Sequence, residues 1–116
     1  MPRIQSPGLL NGGWRQLAFE YFRDGVTVHW LVKGGAADPS VAVLKYEAGA
    51  AVPRHRHTGL ETIMILDGIQ SDEAGDYAAG TLVFNATGSE HSVWSKDGCV
   101  VLIQWDLPVI ILGDKK

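Results

Sequence analysis

Cysteine is nearly missing from this chain: Cys99 is the only one in 116 residues. An internal disulfide framework is thereby excluded. A surplus of positive charge is missing too. The formal net charge is −3, with 20% charged residues of both signs, so the concentrated basic face that neutralises phosphates is not available and nucleic acid is not an expected partner. Long apolar runs are also lacking. The most apolar stretch near an end, Leu107 to Leu112, falls far short of the roughly 18 to 20 residues that cross a bilayer, so no membrane partner is expected. The first residues do not show the basic, apolar and small-residue succession of a secretory signal, which makes a cytoplasmic location the default expectation. No block repeats at a period of 20 to 50 residues, which excludes solenoids and propellers.

What the chain does have is glycine, 14 residues of it, placed between short runs of Val, Ile, Leu, Tyr and Trp. That pattern predicts strands joined by tight turns rather than long helices. Residues 1–16 read as an N-terminal arm with turns at Ser6-Pro7-Gly8 and Asn11-Gly12-Gly13. Strands are predicted over Leu17–Tyr21 and Val26–Val32, joined by a hairpin at Arg23-Asp24-Gly25. A further strand over Val41–Glu47 shows period-2 alternation. Beyond Gly49 turns recur at Asp67-Gly68, Asp72 to Asp76, Ala79-Gly80, Thr87-Gly88 and Lys96-Asp97-Gly98, which leaves no room for crossover helices. One domain over residues 1–116, an all-β barrel with a ligand in its mouth, is the expected architecture.

Chemistry-bearing residues cluster in one stretch. His55 and His57 are separated by a single residue, so on a strand both imidazoles would face the same way, and Arg54 and Arg56 the other. Glu61 follows after Thr58-Gly59-Leu60, where a turn or bulge near Gly59 would bring its carboxylate beside them. His91 lies thirty positions beyond Glu61, just after a turn, where a strand would face the first three. Three imidazoles and one carboxylate suit one divalent transition metal ion, with zinc, iron, manganese, nickel and copper all compatible and calcium disfavoured. Octahedral coordination would leave two positions for water, dioxygen or substrate, whereas tetrahedral coordination would close the site.

The spacing of Gly49, His55, His57, Glu61 and Gly68 resembles the first cupin motif at every fixed position. Gly80, Gly88 and His91 resemble the second, although Ala86 stands at its proline position and Ser95 at its asparagine position. Pro53 to Gly59, Ser71 to Tyr77 and Asp97-Gly98-Cys99 are further similar to the cupin domain of ChrR-type anti-sigma factors, over about residues 40–105. The resemblance implies a single-domain cupin (double-stranded β-helix, jelly-roll-like barrel) with a metal, zinc in ChrR-type proteins, ligated at His55, His57, Glu61 and His91. Such factors reach their sigma partner through a separate N-terminal zinc-binding helical domain. No His and Cys cluster precedes this cupin, so direct sigma-factor binding is not expected. Small ChrR-like cupins also resemble non-haem dioxygenases that cleave diketones or aromatic ketones.

Three functions follow as expectations: a metal-binding cupin that holds a small molecule, a metal-dependent oxygenase acting on a small carbonyl compound, and a dimeric interaction module with a structural metal. Tyr46, Met64, Gln104 and Trp105 are the expected pocket lining, and no catalytic residue is singled out. Cys99 reads as a buried structural thiol. His29 reads as a strand or surface histidine, and Asp72 to Asp76 as a solvated hairpin turn. The apolar tail Val109 to Leu112 would be a liability in a monomer, so a homodimer is expected.

Overall fold

Side chains on a strand alternate between faces, so a strand covered on both sides must carry two apolar sets. This chain does so in its central strands, as the computed structural model, which describes residues 3–113, makes visible. The strands are β1 (Glu20–Arg23), β2 (Val26–Val32), β3 (Ser40–Tyr46), β4 (Ala50–Arg56), β5 (Glu61–Asp72), β6 (Gly75–Ala78), β7 (Leu82–Asn85), β8 (Glu90–Ser95), β9 (Cys99–Trp105) and β10 (Ile110–Ile111). Only two short 3-10 turns, Leu9–Asn11 and Gly13–Gln16, interrupt the all-β pattern among the described residues. One sheet runs β1-β2-β3-β9-β5 with β7 on the other edge of β5. The second runs β10-β4-β8 to the far end of β5, where β6 also pairs.

The interior is filled from both sheets. Val26 and Val28 of β2, Ala42, Leu44 and Tyr46 of β3, Ile63 and Ile65 of β5, Val93 of β8, and Val101 and Ile103 of β9 form one buried cluster. Residues of opposite parity, Val43, Val100 and Leu66, pack outside the first sheet under Trp14. The N-terminal arm is thus pinned as a cover on the sheet by Trp14, which is 8% exposed. Leu17 and Phe19 join that outer cluster, and β1 begins at Glu20, later than the run Leu17–Tyr21 predicts. Met1 and Pro2 of the expected arm lie outside the described residues.

Two glycines shape the sheet. Gly25, at φ 76°, closes the β1–β2 hairpin, the left-handed conformation that an Asp-Gly turn supplies at no steric cost. Gly68 does something the sequence reading did not foresee. Asp67-Gly68 does not reverse the chain but bends the 12-residue strand β5, with a register shift between Ile65 and Asp67. The strand passes from the first sheet, where it pairs β9 and β7, into the second, where it pairs β8 and β6. A bulge increases local twist and bends its strand, which turns the expected hairpin into a corner between sheets. The apolar tail likewise does not dangle: Ile110 and Ile111 pair with Arg56 and His55 as an edge strand, each about half exposed.

Two expectations follow. At Gly68 a Cβ would strike the backbone carbonyl of Gly98 and the Cys99 backbone, on a residue held at φ 74°. Gly68→Ala should therefore lower stability by about 2 kcal/mol or more, read from urea denaturation; an unchanged midpoint would contradict the corner geometry. Cys99 is buried and free, and burial pushes its thiol up to about 11 despite a nearby Ser95 hydroxyl. At pH 8 only about one thiol in a thousand is then ionised, so native protein should resist iodoacetamide and react on unfolding.

Candidate metal centre

His55 owes its aim to a bulge. Strand β4 pairs β8 with a register shift between Val52 and His55, and Pro53, which cannot donate to the ladder, sits inside it. Beyond the shift His55 stands directly opposite His91, and Arg56 opposite Glu90. The alternation expected from the His-x-His spacing holds: both imidazoles are buried, whereas Arg54 and Arg56 point outward and bridge Glu90 at 3.3 and 3.2 Å. These bridges are exposed and contribute little to stability. His57 lies just past the end of β4 and is tied by a two-way backbone contact to the β7–β8 turn. Its N–H donates to Ser89 O at 2.9 Å, and Gly88 N–H donates to His57 O at 2.7 Å. That turn carries His91 to the same place. The three ring centroids lie 4.7 to 5.1 Å apart.

Each ring is fixed from behind through Nδ1. His55 Nδ1 donates to Pro53 O at 2.9 Å. His57 Nδ1 lies 3.1 Å from Ser89 O and 2.9 Å from Ser89 Oγ. His91 Nδ1 donates to Asp72 Oδ2 at 3.0 Å. Carbonyl and carboxylate oxygens only accept, so all three Nδ1 atoms carry the proton and the neutral rings present Nε2 lone pairs inward, an assignment made from partner chemistry. Inward-facing lone pairs on three buried imidazoles, each oriented by an outer acceptor, are the arrangement of a histidine metal site. One donor nitrogen from each ring lies within 4.8 Å of the others.

Glu61 opens β5 opposite Asn85 and Trp105, and Asn85 Nδ2 donates to its Oε1 at 2.9 Å. The same oxygen stands 3.1 Å from His57 Nε2, yet without the alignment of a hydrogen bond, leaving His57 Nε2 and His91 Nε2 as buried atoms with no partner. A carboxylate oxygen and a nitrogen lone pair at that separation repel unless a proton or a cation lies between them. The electrostatics agree. Burial alone would lower His57, but the adjacent Glu61 carboxylate outweighs it and raises the imidazole above its ordinary value. Burial would raise Glu61, and His57 with Asn85 instead hold it below the usual carboxylate range. His55, further from that charge, is lowered chiefly by burial and also by the neighbouring His91. The three imidazole nitrogens, two of them orphaned, could hold a borderline divalent ion and offer no sulfur, and Glu61 stands beside this group through its contact with His57.

His55 and Glu61 form part of the wall of an interior cavity of about 200 Å³, which they line together with Phe22, Arg23, Tyr46 and Trp105. Of the four residues expected as lining, Tyr46 and Trp105 border this cavity. Met64 and Gln104 do not: alternation puts Ile63 and Ile103 inward, so their neighbours face the outer surface, in a groove with Leu9 and Leu102. Gln104 there donates to Asp106 at 3.2 Å. Aromatic side chains at the mouth form a cluster, with Phe22, Trp30 and Trp105 centroids 6.0 to 6.1 Å apart.

The supporting residues are where sequence reasoning fell short. The acidic turn at Asp72 to Asp76, expected to be merely solvated, turns one carboxylate inward. Asp72 accepts from Tyr77 Oη at 2.8 Å and Ala74 N–H at 2.9 Å as well as from His91. Burial would raise Asp72, and those three donors instead lower it. The clue was period 2: Asp72 closes a strand whose pairing with β8 sets it opposite Val93, near His91. Asn85 and Ser89 carried no signal beyond proximity to the second motif. His29, as expected, is no part of the site; its Nδ1 lies 2.8 Å from Ala18 O.

Comparison with known proteins agrees with this geometry. Residues 13–106 match the ChrR cupin-like domain family. The chain is 30% identical over 93 residues to the anti-sigma-E factor ChrR of Cereibacter sphaeroides, covering 71% of this chain and 44% of that protein; it therefore spans less than half the length of this curated relative. The ChrR-type fold also appears in the crystal structure of Rhodobacter sphaeroides SigE in complex with the anti-sigma ChrR, with TM-score 0.68, 28% identity, and coverage of 78% of this chain and 49% of that one. An acetylacetone dioxygenase from Acinetobacter johnsonii superposes with TM-score 0.75 and 17% identity over 83% of this chain and 72% of that one, a likeness of fold alone. With an all-β cupin barrel, three convergent histidines and the matched span of residues 13–106, the chain belongs to the ChrR cupin-like domain family.

Proposed function

We propose that this cupin binds one divalent transition metal ion through His55, His57, His91 and Glu61, and holds a small molecule against it in the barrel cavity. The observation that carries the reading is the pair of buried, partnerless nitrogens, His57 Nε2 and His91 Nε2, with Glu61 Oε1 3.1 Å from the first. Leaving such atoms unsatisfied costs on the order of 1–3 kcal/mol each, a penalty that ligation removes. When bound, the ion would act as a Lewis acid toward an oxygen of a small ligand. The chain's own part is distinct from that chemistry. Pro53, Ser89 and Asp72 hold the imidazole protons away from the centre, Asn85 steadies the carboxylate, and the apolar walls of the cavity exclude water. The donor set admits several first-row ions, and zinc and iron are put forward from the resemblance to ChrR-type proteins and to non-haem dioxygenases.

A second reading, an oxygenase acting on a small carbonyl compound, is favoured by the cavity, since His55 and Glu61 border it and a substrate there would meet the ion directly. Iron-loaded protein that consumes dioxygen only when given a small diketone would support it, and no uptake would remove it.

Purified protein should bind zinc in a one-to-one ratio by chelator competition, and His57→Ala should weaken binding by about a hundredfold or more. Wild-type-like zinc binding in that variant would overturn the assignment. Because the imidazoles must shed protons to ligate, and His57 is raised, affinity should fall as the pH drops below about 7. Asp72→Asn, which removes the charge facing His91 while keeping an acceptor, should weaken zinc binding by about tenfold, and Asp72→Ala by more. Identical affinities in all three proteins would show that Asp72 only shapes its hairpin.

A further inference from the structure

The cavity has a pole that the metal centre does not use. Arg23 lines it alongside Tyr46 and Gln70; burial pushes the Tyr46 phenol well above its ordinary value, and the positive charge of Arg23 opposes that only weakly. Among the described residues no carboxylate comes within ion-pair distance of Arg23, the acidic groups that do form pairs being Glu61, Asp72, Glu73 and Glu90. Its neighbour Asp24 accepts from Tyr21 Oη instead. Arg23 is partly buried, and a guanidinium with five donors and no side-chain partner among the described residues is a site for a planar anion.

The rest of the cavity describes the body of such a ligand. Its wall is mostly apolar, and Phe22 stacks with Trp105 at 6.1 Å and 20°, forming a flat surface near the mouth. The volume of about 200 Å³ suits one substituted ring, since a cavity of roughly 150 Å³ holds benzene. One guanidinium and an apolar wall match a single negative charge better than a dianion. The opposing charge, Glu61, is already engaged by His57 and Asn85.

We propose that the cavity binds a small planar monocarboxylate, its carboxylate on Arg23, its ring against Phe22 and Trp105, and its far end toward His55 and Glu61. This rests on the proposed role of the barrel as a small-molecule site, but not on the identity of the ion. Arg23 is then the specificity-determining residue, selecting charge.

The test is calorimetric titration of the full chain, zinc-loaded and metal-free, with benzoate and with its uncharged analogue benzamide. Benzoate should bind at least about tenfold tighter in both forms, as expected for a charge-assisted bidentate pair. R23Q should abolish the preference while leaving zinc affinity unchanged, and R23K should retain part of it. Equal binding of the two compounds, no benzoate binding, or a preference that survives R23Q would overturn the proposal. A preference confined to the zinc-loaded form would also overturn it, because the ion and not Arg23 would then be reading the carboxylate; this arm decides the matter even if R23Q fails to fold. Benzoate selectivity in a chain that binds no zinc would sink the metal reading and leave this one standing. Tight zinc binding without selectivity would do the reverse.

Discussion

Three imidazole lone pairs and a carboxylate, aimed at one another inside a protein, repel unless something positive lies among them, and the architecture of this barrel is organised around that constraint. His57 is 1% exposed and Glu61 3%, so water cannot relieve the conflict cheaply. Without an ion, the only remedy is a proton, and the raised imidazole of His57 beside the lowered carboxylate of Glu61 is its signature. A divalent ion bound as proposed would relieve all four groups at once. The cost of assembling the site in its absence is borne by the rest of the fold.

The fold meets that cost with two devices. The first is the corner in β5, where Gly68 lets one strand serve both sheets. Glu61 at its start and Asp72 at its end thereby reach the histidines from opposite sides, one toward the inward face of His57 and one behind His91. The second is the bulge at Pro53, which turns His55 toward His91 and supplies the carbonyl that fixes its tautomer. Neither device works without the buried cluster between the sheets, because a lone hairpin could not hold imidazoles against their mutual repulsion. The cavity beside the three histidines completes the arrangement: it would give a small ligand access to an ion held there, and most of its wall is apolar.

Much of this was legible in the sequence, and the limits have physical causes. The His-x-His spacing announced a shared face because strand period is fixed by covalent geometry, and Glu61 and His91 followed from motif spacing. The strand Val26–Val32 and its Asp-Gly hairpin are local signals and were read correctly. What escaped were consequences of register. Asp67-Gly68 looks like any turn until β9 and β8 are known to pair on either side of it. Asp72 looks like a solvated turn acid until its pairing places it behind His91. Met64 and Gln104 went to the wrong face because one residue of parity separates the cavity from the outer surface. Arg23 gave no signal, since its place in the cavity depends on how the first hairpin lies across the barrel.

The proposed metal centre requires His55, His57 and His91, with Glu61, to share one ion. X-ray absorption on protein loaded with a single equivalent of zinc tests it most directly. A shared ion should show only nitrogen and oxygen in the inner shell at about 2.0–2.2 Å, with outer-shell scattering from three imidazoles. Sulfur in the inner shell, or scattering from one imidazole or none, would contradict it.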